Sequence, residues 1–186
     1  MTIPAIRCVA ITDSQGADNI LCGPSFLKIA QDQYQQDGTD LVIYNKCQDG
    51  QTFQTAMTGT QYGGLSAVVN GMSLGPQCWI VGLGVADWLF NVAGRKGALA
   101  QADATALFAA LRHFGGTVIF VRFEQVDRAT APDFHGFLDF CGAQADHVCT
   151  IPMYQLRAAG LLMAGRVEVA LFRLRKRQRI SRTVRR

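Results

Sequence analysis

Residues 9–16 read VAITDSQG. A β-favouring apolar run passes, with no turn signal between, into an acid, a hydroxyl, an amide and a glycine. The apolar half belongs in a buried strand. Asp13 and Ser14 at its tip have two readings. Either they cap the turn that follows, since Asp and Ser side chains accept hydrogen bonds from nearby backbone N–H groups, or they are where chemistry occurs.

Runs of the same kind recur along the chain. IPAIRCVAIT (3–12), DLVIYN (40–45), CWIVGLG (78–84), TVIFVRF (117–123) and HVCTI (147–151) each read as a strand apolar on both faces. Helical patterns stand between them near 24–36, 52–70, 97–113 and 132–143, with a last one near 156–177. Strands alternating with helices argue an α/β domain whose mainly parallel sheet is covered on both sides. The helix over 97–113 carries Leu99, Ala106, Leu107, Ala110 and Leu111 with Phe114 on one stripe and stops at Gly115-Gly116. The last helix aligns Leu156, Gly160, Met163, Val167, Ala170, Leu171 and Leu174, so it is expected to pack on the sheet. With 186 residues, 49% of them hydrophobic, the chain fits one domain over 1–172, followed by a tail over 173–186.

The charge is unevenly placed. The chain holds 18 Lys or Arg and 14 Asp or Glu; with eight of the basic residues and no acid in 173–186, the body keeps ten against fourteen, a net of −4. The six cysteines, Cys8, Cys22, Cys47, Cys78, Cys141 and Cys149, show no C-x-x-C spacing, and Cys8, Cys78 and Cys149 fall inside expected strands, where thiols behave as small buried hydrophobes. A reducing compartment is the simpler reading. No basic and apolar leader precedes the first strand, and no run of about 18 apolar residues occurs, so a cytoplasmic protein without a transmembrane segment is expected.

In open parallel sheets, ligands bind beyond the carboxyl ends of the strands. The segments to read are therefore Asp13–Gly16, Asn45–Thr52, Gly84–Asp87, Glu124–His135 and Pro152–Gln155. No G-x-x-x-x-G-K-[ST] occurs, which sets aside a P-loop nucleotide triphosphatase. Gly82-Leu83-Gly84 is a G-x-G without a third glycine and away from the first βα turn, which argues against dinucleotide binding. A phosphoryl-aspartate mechanism needs a second carboxylate beside Asp13 to hold magnesium, and Ser14-Gln15-Gly16 offers none. No His, Cys and acid grouping has metal-ligand spacing, so neither a metal nor another cofactor is expected.

The remaining pattern resembles the SGNH (GDSL-type) hydrolases over nearly the whole fold. That family carries G-D-S after the first strand, matched by Thr12-Asp13-Ser14 with the glycine replaced. Its second block, N-x-x-x-x-G, is matched by Asn45 and Gly50. Its third, G-x-N-D, is matched by Gly84 and Asp87, with Ala86 at the asparagine position. Its fifth, D-x-x-H, falls by position on Ile151-Pro152-Met153-Tyr154, which holds neither residue. The resemblance implies a three-layer α/β/α fold with strand order 2-1-3-4-5. It also implies Ser14 as nucleophile and an oxyanion site formed by the Ser14 N–H, the Gly50 N–H and a third donor that Ala86 does not supply. Losing one such donor typically costs roughly 100- to 1000-fold in rate, and the general base is missing as well.

Bland readings stand beside these. Asp13 with Ser14, and Asp87 beside Trp88, can be caps; Asn45 and Gly50 are ordinary loop residues taken singly. His113 and His147 fall at the amino ends of strands four and five, the wrong edge. His135 follows strand four on the right edge and reads as a solvated residue in the first turn of a helix, or as a replacement base. Tyr154 can reach toward Ser14, but a phenol is a weak base at neutral pH. Two functions stay open: a non-catalytic or impaired member binding a ligand or partner through the former ester site, or an active serine ester or acyl hydrolase, for example on an O-acetylated carbohydrate, with a rebuilt base.

The tail, Arg173 to Arg186, is expected to order against an anionic surface, whether acidic protein, lipid head groups or nucleic acid, because its positive charges repel one another when unscreened. Deleting 173–186 is expected to abolish low-salt retention on heparin, anionic vesicles or DNA, and binding of the full chain is expected to weaken steeply with added salt. Unchanged retention on all three surfaces would show that the tail is not a binding element.

Overall fold

The computed structural model describes residues 5–16, 25–59, 66–92 and 94–158. Within them, five strands form one parallel sheet: β1 (Ile6–Thr12), β2 (Leu41–Asn45), β3 (Cys78–Gly82), β4 (Thr117–Phe123) and β5 (His147–Ile151), in the order β2-β1-β3-β4-β5. All four pairings are parallel, so every carboxyl end lies on one edge. The α/β fold and the strand order are those expected.

The helices are α1 (Phe26–Gln36), α2 (Phe53–Thr58), α3 (Ala67–Met72), α4 (Ala98–His113), α5 (Pro132–Gly142) and α6 (Met153–Ala158). The helix read over 52–70 is two short ones, each with its own cap: Thr52 accepts from the Thr55 N–H at the start of α2, and Ser66 from the Val69 N–H at the start of α3. The last helix begins earlier than expected, at Met153, and its expected stripe beyond 158 lies outside the described residues, as does the tail 173–186. Among the described residues no helix is long and apolar enough to cross a membrane.

Strand periodicity decides the layers. Val9, Ile11, Trp79, Val81, Val118 and Phe120 are fully buried and belong with Phe53, Leu107, Phe108, Phe137 and Leu138 in one core. Aromatic contacts knit it, Phe53 meeting Phe108 at 6.1 Å and Phe137 at 5.9 Å between ring centres. The alternate residues face the other side, where Phe26 of α1 meets Phe123 edge-on at 5.6 Å. The stripe of α4 departs from the expected one. Ala100, Ala104, Leu107, Phe108 and Leu111 are buried, whereas Leu99 and Phe114 are exposed large hydrophobics and Ala106 is exposed. β5 departs too: as an edge strand it buries only Ile151.

Gly82, the last residue of β3, lies between Thr12 and Phe123. A Cβ there would stand 2.7 Å from the Phe123 ring and 2.9 Å from Thr12 Cγ2, and both side chains are buried. Gly82→Ala is therefore expected to cost about 1–3 kcal/mol through overpacking, read as a lower urea midpoint at constant slope; an unchanged midpoint would contradict this packing.

Candidate functional site

At the tip of β1 the chain turns sharply, and two adjacent side chains part company: Asp13 is 2% exposed, while Ser14 lies open to solvent. The Asp13 carboxylate accepts the Gln15 N–H at 3.0 Å and is further steadied by the nearby Ala86 N–H from the turn after β3. Burial pushes its pKa up to about 6, with Asp49 adding to the rise and the two N–H donors opposing it. The capping reading thus describes Asp13, and Ser14 is carried on the turn that Asp13 fixes.

The segment after β2 is fastened to this turn. Asn45 Nδ2 donates to the Gly16 carbonyl at 2.9 Å, Asn45 Oδ1 accepts the Cys47 N–H at 2.9 Å, and the Gln48 N–H donates to the Thr12 carbonyl at 3.2 Å. Gln51 is buried, and in the amide orientation that satisfies both of its ends its nitrogen reaches the carbonyls of Thr12 at 2.8 Å and Lys46 at 3.2 Å. Between them, Gly50 takes φ +67°, a region that favours glycine. Asn45 therefore works as a clamp between the first two segments, and Gly50 shapes the approach to α2.

After β3 comes a π-helical turn, Val85–Leu89, entered through Gly84 at φ +116°. It buries Ala86 and Asp87. Asp87 Oδ1 accepts the Phe53 N–H at 3.0 Å, so it caps α2 from a neighbouring element, while its Oδ2 finds no hydrogen-bond partner among the described residues. Burial raises its pKa to about 7, aided by the nearby charges of Asp103 and Asp13. Ala86 brings a backbone N–H to Asp13 and a methyl group to the position where the resemblance places an amide donor.

His135 is not solvated, contrary to the sequence reading. It is 1% exposed, with Nε2 at 2.8 Å from the Val126 carbonyl and Nδ1 at 3.1 Å from a terminal nitrogen of Arg122. The carbonyl is an acceptor and the guanidinium a donor, which assigns the neutral ring with its proton on Nε2. Proton and lone pair are both committed inside this cluster. Tyr154 is half-buried; its N–H donates to the Glu124 carbonyl at 3.1 Å and its hydroxyl oxygen accepts Gln155 Nε2 at 2.8 Å.

The cluster around His135 escaped sequence reading. Arg122, inside β4, lies 2.9 Å from Glu124 Oε1 and also pairs with Asp139, which Arg128 grips with both terminal nitrogens at 2.9 and 3.2 Å. These contacts lock the end of β4 to α5. The legible signal was an arginine in the apolar run TVIFVRF, since a charge in a buried strand requires partners. Among the described residues no grouping of His, Cys, Asp and Glu could hold a metal ion.

Solved structures that superpose on this chain include esterases. Esterase EstA from Pseudoalteromonas sp. superposes with a TM-score of 0.66 at 15% identity, covering 97% of this chain and 99% of that one. The SGNH-hydrolase family esterase AlinE4 gives 0.57 at 17% identity, over 85% of this chain and 80% of that one. The acetylxylan esterase Axe2 from Geobacillus stearothermophilus, in a catalytic-mutant form, gives 0.57 at 12% identity over 90% and 91%. No protein-family model and no curated protein matches the sequence. The fold is SGNH-like, and at these identities the likeness establishes the fold alone.

The two raised acids set a pH dependence. In the unfolded chain both carboxyls ionise near pH 4, whereas in the fold Asp13 holds its proton to about 6 and Asp87 to about 7. The folded state binds the extra protons in that window, so stability is expected to fall as pH rises from about 4 to about 7. Asp139, held down at about 2 by Arg128 first and Arg122 second, acts in the opposite sense and only below about pH 4. Asp87→Asn keeps an acceptor for Phe53 and cannot ionise. It is expected to flatten the decline in urea midpoint between pH 5 and pH 8, and to exceed the wild type at pH 8 by about 1–3 kcal/mol; equal declines in both proteins would contradict the assignment.

Proposed function

We propose that this chain is a ligand-binding protein built on an ester-hydrolase scaffold whose hydrolytic machinery is disabled. The observation that carries the reading is the disposition of its three histidines. His113 and His147 are exposed, at the end of α4 and the start of β5, on the amino edge of the sheet opposite Ser14. His135 is buried with both ring nitrogens engaged. A serine hydroxyl is a poor nucleophile until a base takes its proton, and no histidine stands free to be that base.

In this reading Ser14 offers a hydrogen-bonding hydroxyl in a cleft bounded by the Gly50 turn and the Ala86-Asp87 turn. The ligand class is a small ester or acetylated carbohydrate, for which the named activity of Axe2 gives a starting point. The basic tail 173–186 supplies contact with an anionic partner, and a reducing, cytoplasmic setting fits the cysteine pattern. The alternative is an active serine esterase with Ser14 as nucleophile and a rebuilt base, and the exposure of Ser14 at the tip of β1 favours it.

The test is hydrolysis of an activated acetyl ester by the wild type, Ser14→Ala and His135→Ala. The expected rate is roughly 10⁴-fold or more below that of an intact triad, with the wild type no faster than Ser14→Ala. Fast turnover abolished by Ser14→Ala would overturn the proposal, and its loss in His135→Ala as well would name the base.

A further inference from the structure

On the face of the sheet opposite the aromatic core, β1 and β3 bring two thiols into register: Cys8 pairs directly with Cys78. Register partners on adjacent strands project to the same face, and the strands lie about 4.8 Å apart, within the Cα separation of roughly 4.4–6.8 Å that disulfides span. Both cysteines are free; Cys8 is buried and Cys78, the first residue of β3, is half-buried. The two thiols perturb one another's ionisation across the strand pair, and the Cys78 thiol donates to the Trp79 carbonyl at 3.7 Å.

We propose that Cys8 and Cys78 form a reversible disulfide that staples β1 to β3 when the protein meets a peroxide. The neighbouring Cys78 thiol lowers the pKa of Cys8, while Cys8 and burial raise that of Cys78, so Cys8 is the sulfur that carries thiolate character and Cys78 the resolving thiol. The Cys8 thiolate attacks one peroxide oxygen and the O–O bond breaks, leaving Cys8 sulfenic acid and hydroxide, which takes up the proton released when the thiolate formed. Cys78 sulfur then attacks the sulfenic sulfur, the S–O bond breaks, and water leaves with the Cys78 proton. In sum, two thiols and one hydrogen peroxide give one disulfide and two waters.

The other described cysteines lack this arrangement. Cys141 is fully buried in the aromatic core, and burial raises its pKa. Cys149 pairs in register with Val121, and Cys47 lies past the end of β2.

The experiment is mild oxidation of the folded full-length chain with hydrogen peroxide, blocking of remaining thiols after unfolding, and non-reducing peptide mass mapping. The expected result is a Cys8–Cys78 crosslinked peptide pair, lighter by two hydrogen atoms than the separate peptides, as the dominant disulfide and lost on adding dithiothreitol. With Cys78→Ser, a dimedone-reactive sulfenic acid is expected to persist on Cys8. Recovery of Cys8 and Cys78 as blocked free thiols in the wild type, while other cysteines oxidise, would overturn the proposal whatever the variant does.

Discussion

The Asp13 carboxylate, taken out of water at the tip of β1, hydrogen-bonded by the Gln15 N–H and set near the Ala86 N–H, is the interaction on which the carboxyl edge of this sheet depends. A buried acid is costly to hold ionised unless fixed donors replace its hydration. The fold meets that cost partly with two N–H groups and partly by letting the acid keep its proton to about pH 6. The donors come from different segments, so satisfying one side chain joins the turn that bears Ser14 to the turn after β3. Asn45 extends the join to the segment after β2 through the Gly16 carbonyl. Asp87 extends it to α2 through the Phe53 N–H.

The polar side chains at this edge are spent largely on backbone groups. Asp13, Asn45 and Asp87 are occupied with backbone groups, Gln51 with the carbonyls of Thr12 and Lys46, and His135 with Arg122 and Val126. The edge is a braced platform on which Ser14 stands out. Catalysis by a serine needs proton acceptance at the hydroxyl and donors where the oxyanion develops. Bracing supplies neither by itself, which is why the scaffold and the activity separate in this account.

The strands were legible because a parallel sheet covered on both faces demands largely apolar runs, and VAIT, CWIVG and TVIFV obey that demand. The position of Ser14 followed from the same logic. The stripe of α4 was misread because its closest contacts use small residues, Ala100 and Ala104, whose weak hydrophobicity does not stand out beside Leu99 and Phe114. His135 was misread because its surroundings are set by Arg122 and Glu124, thirteen and eleven residues upstream; the arginine in TVIFVRF signals that a partner is needed but not which residue it is. The π-helical turn after β3 is fixed by tertiary packing, Trp88 stacking on Phe137 at 4.8 Å, and has no local signature.

The central claim is that Ser14 is exposed yet not activated. Intact-mass measurement after incubation with a serine-directed phosphonate tests it most directly, because the reagent reports on the nucleophile without requiring turnover. Under conditions that label an intact-triad serine esterase to completion, the account predicts that the chain keeps its unmodified mass. A stoichiometric single adduct mapped to Ser14 would contradict it.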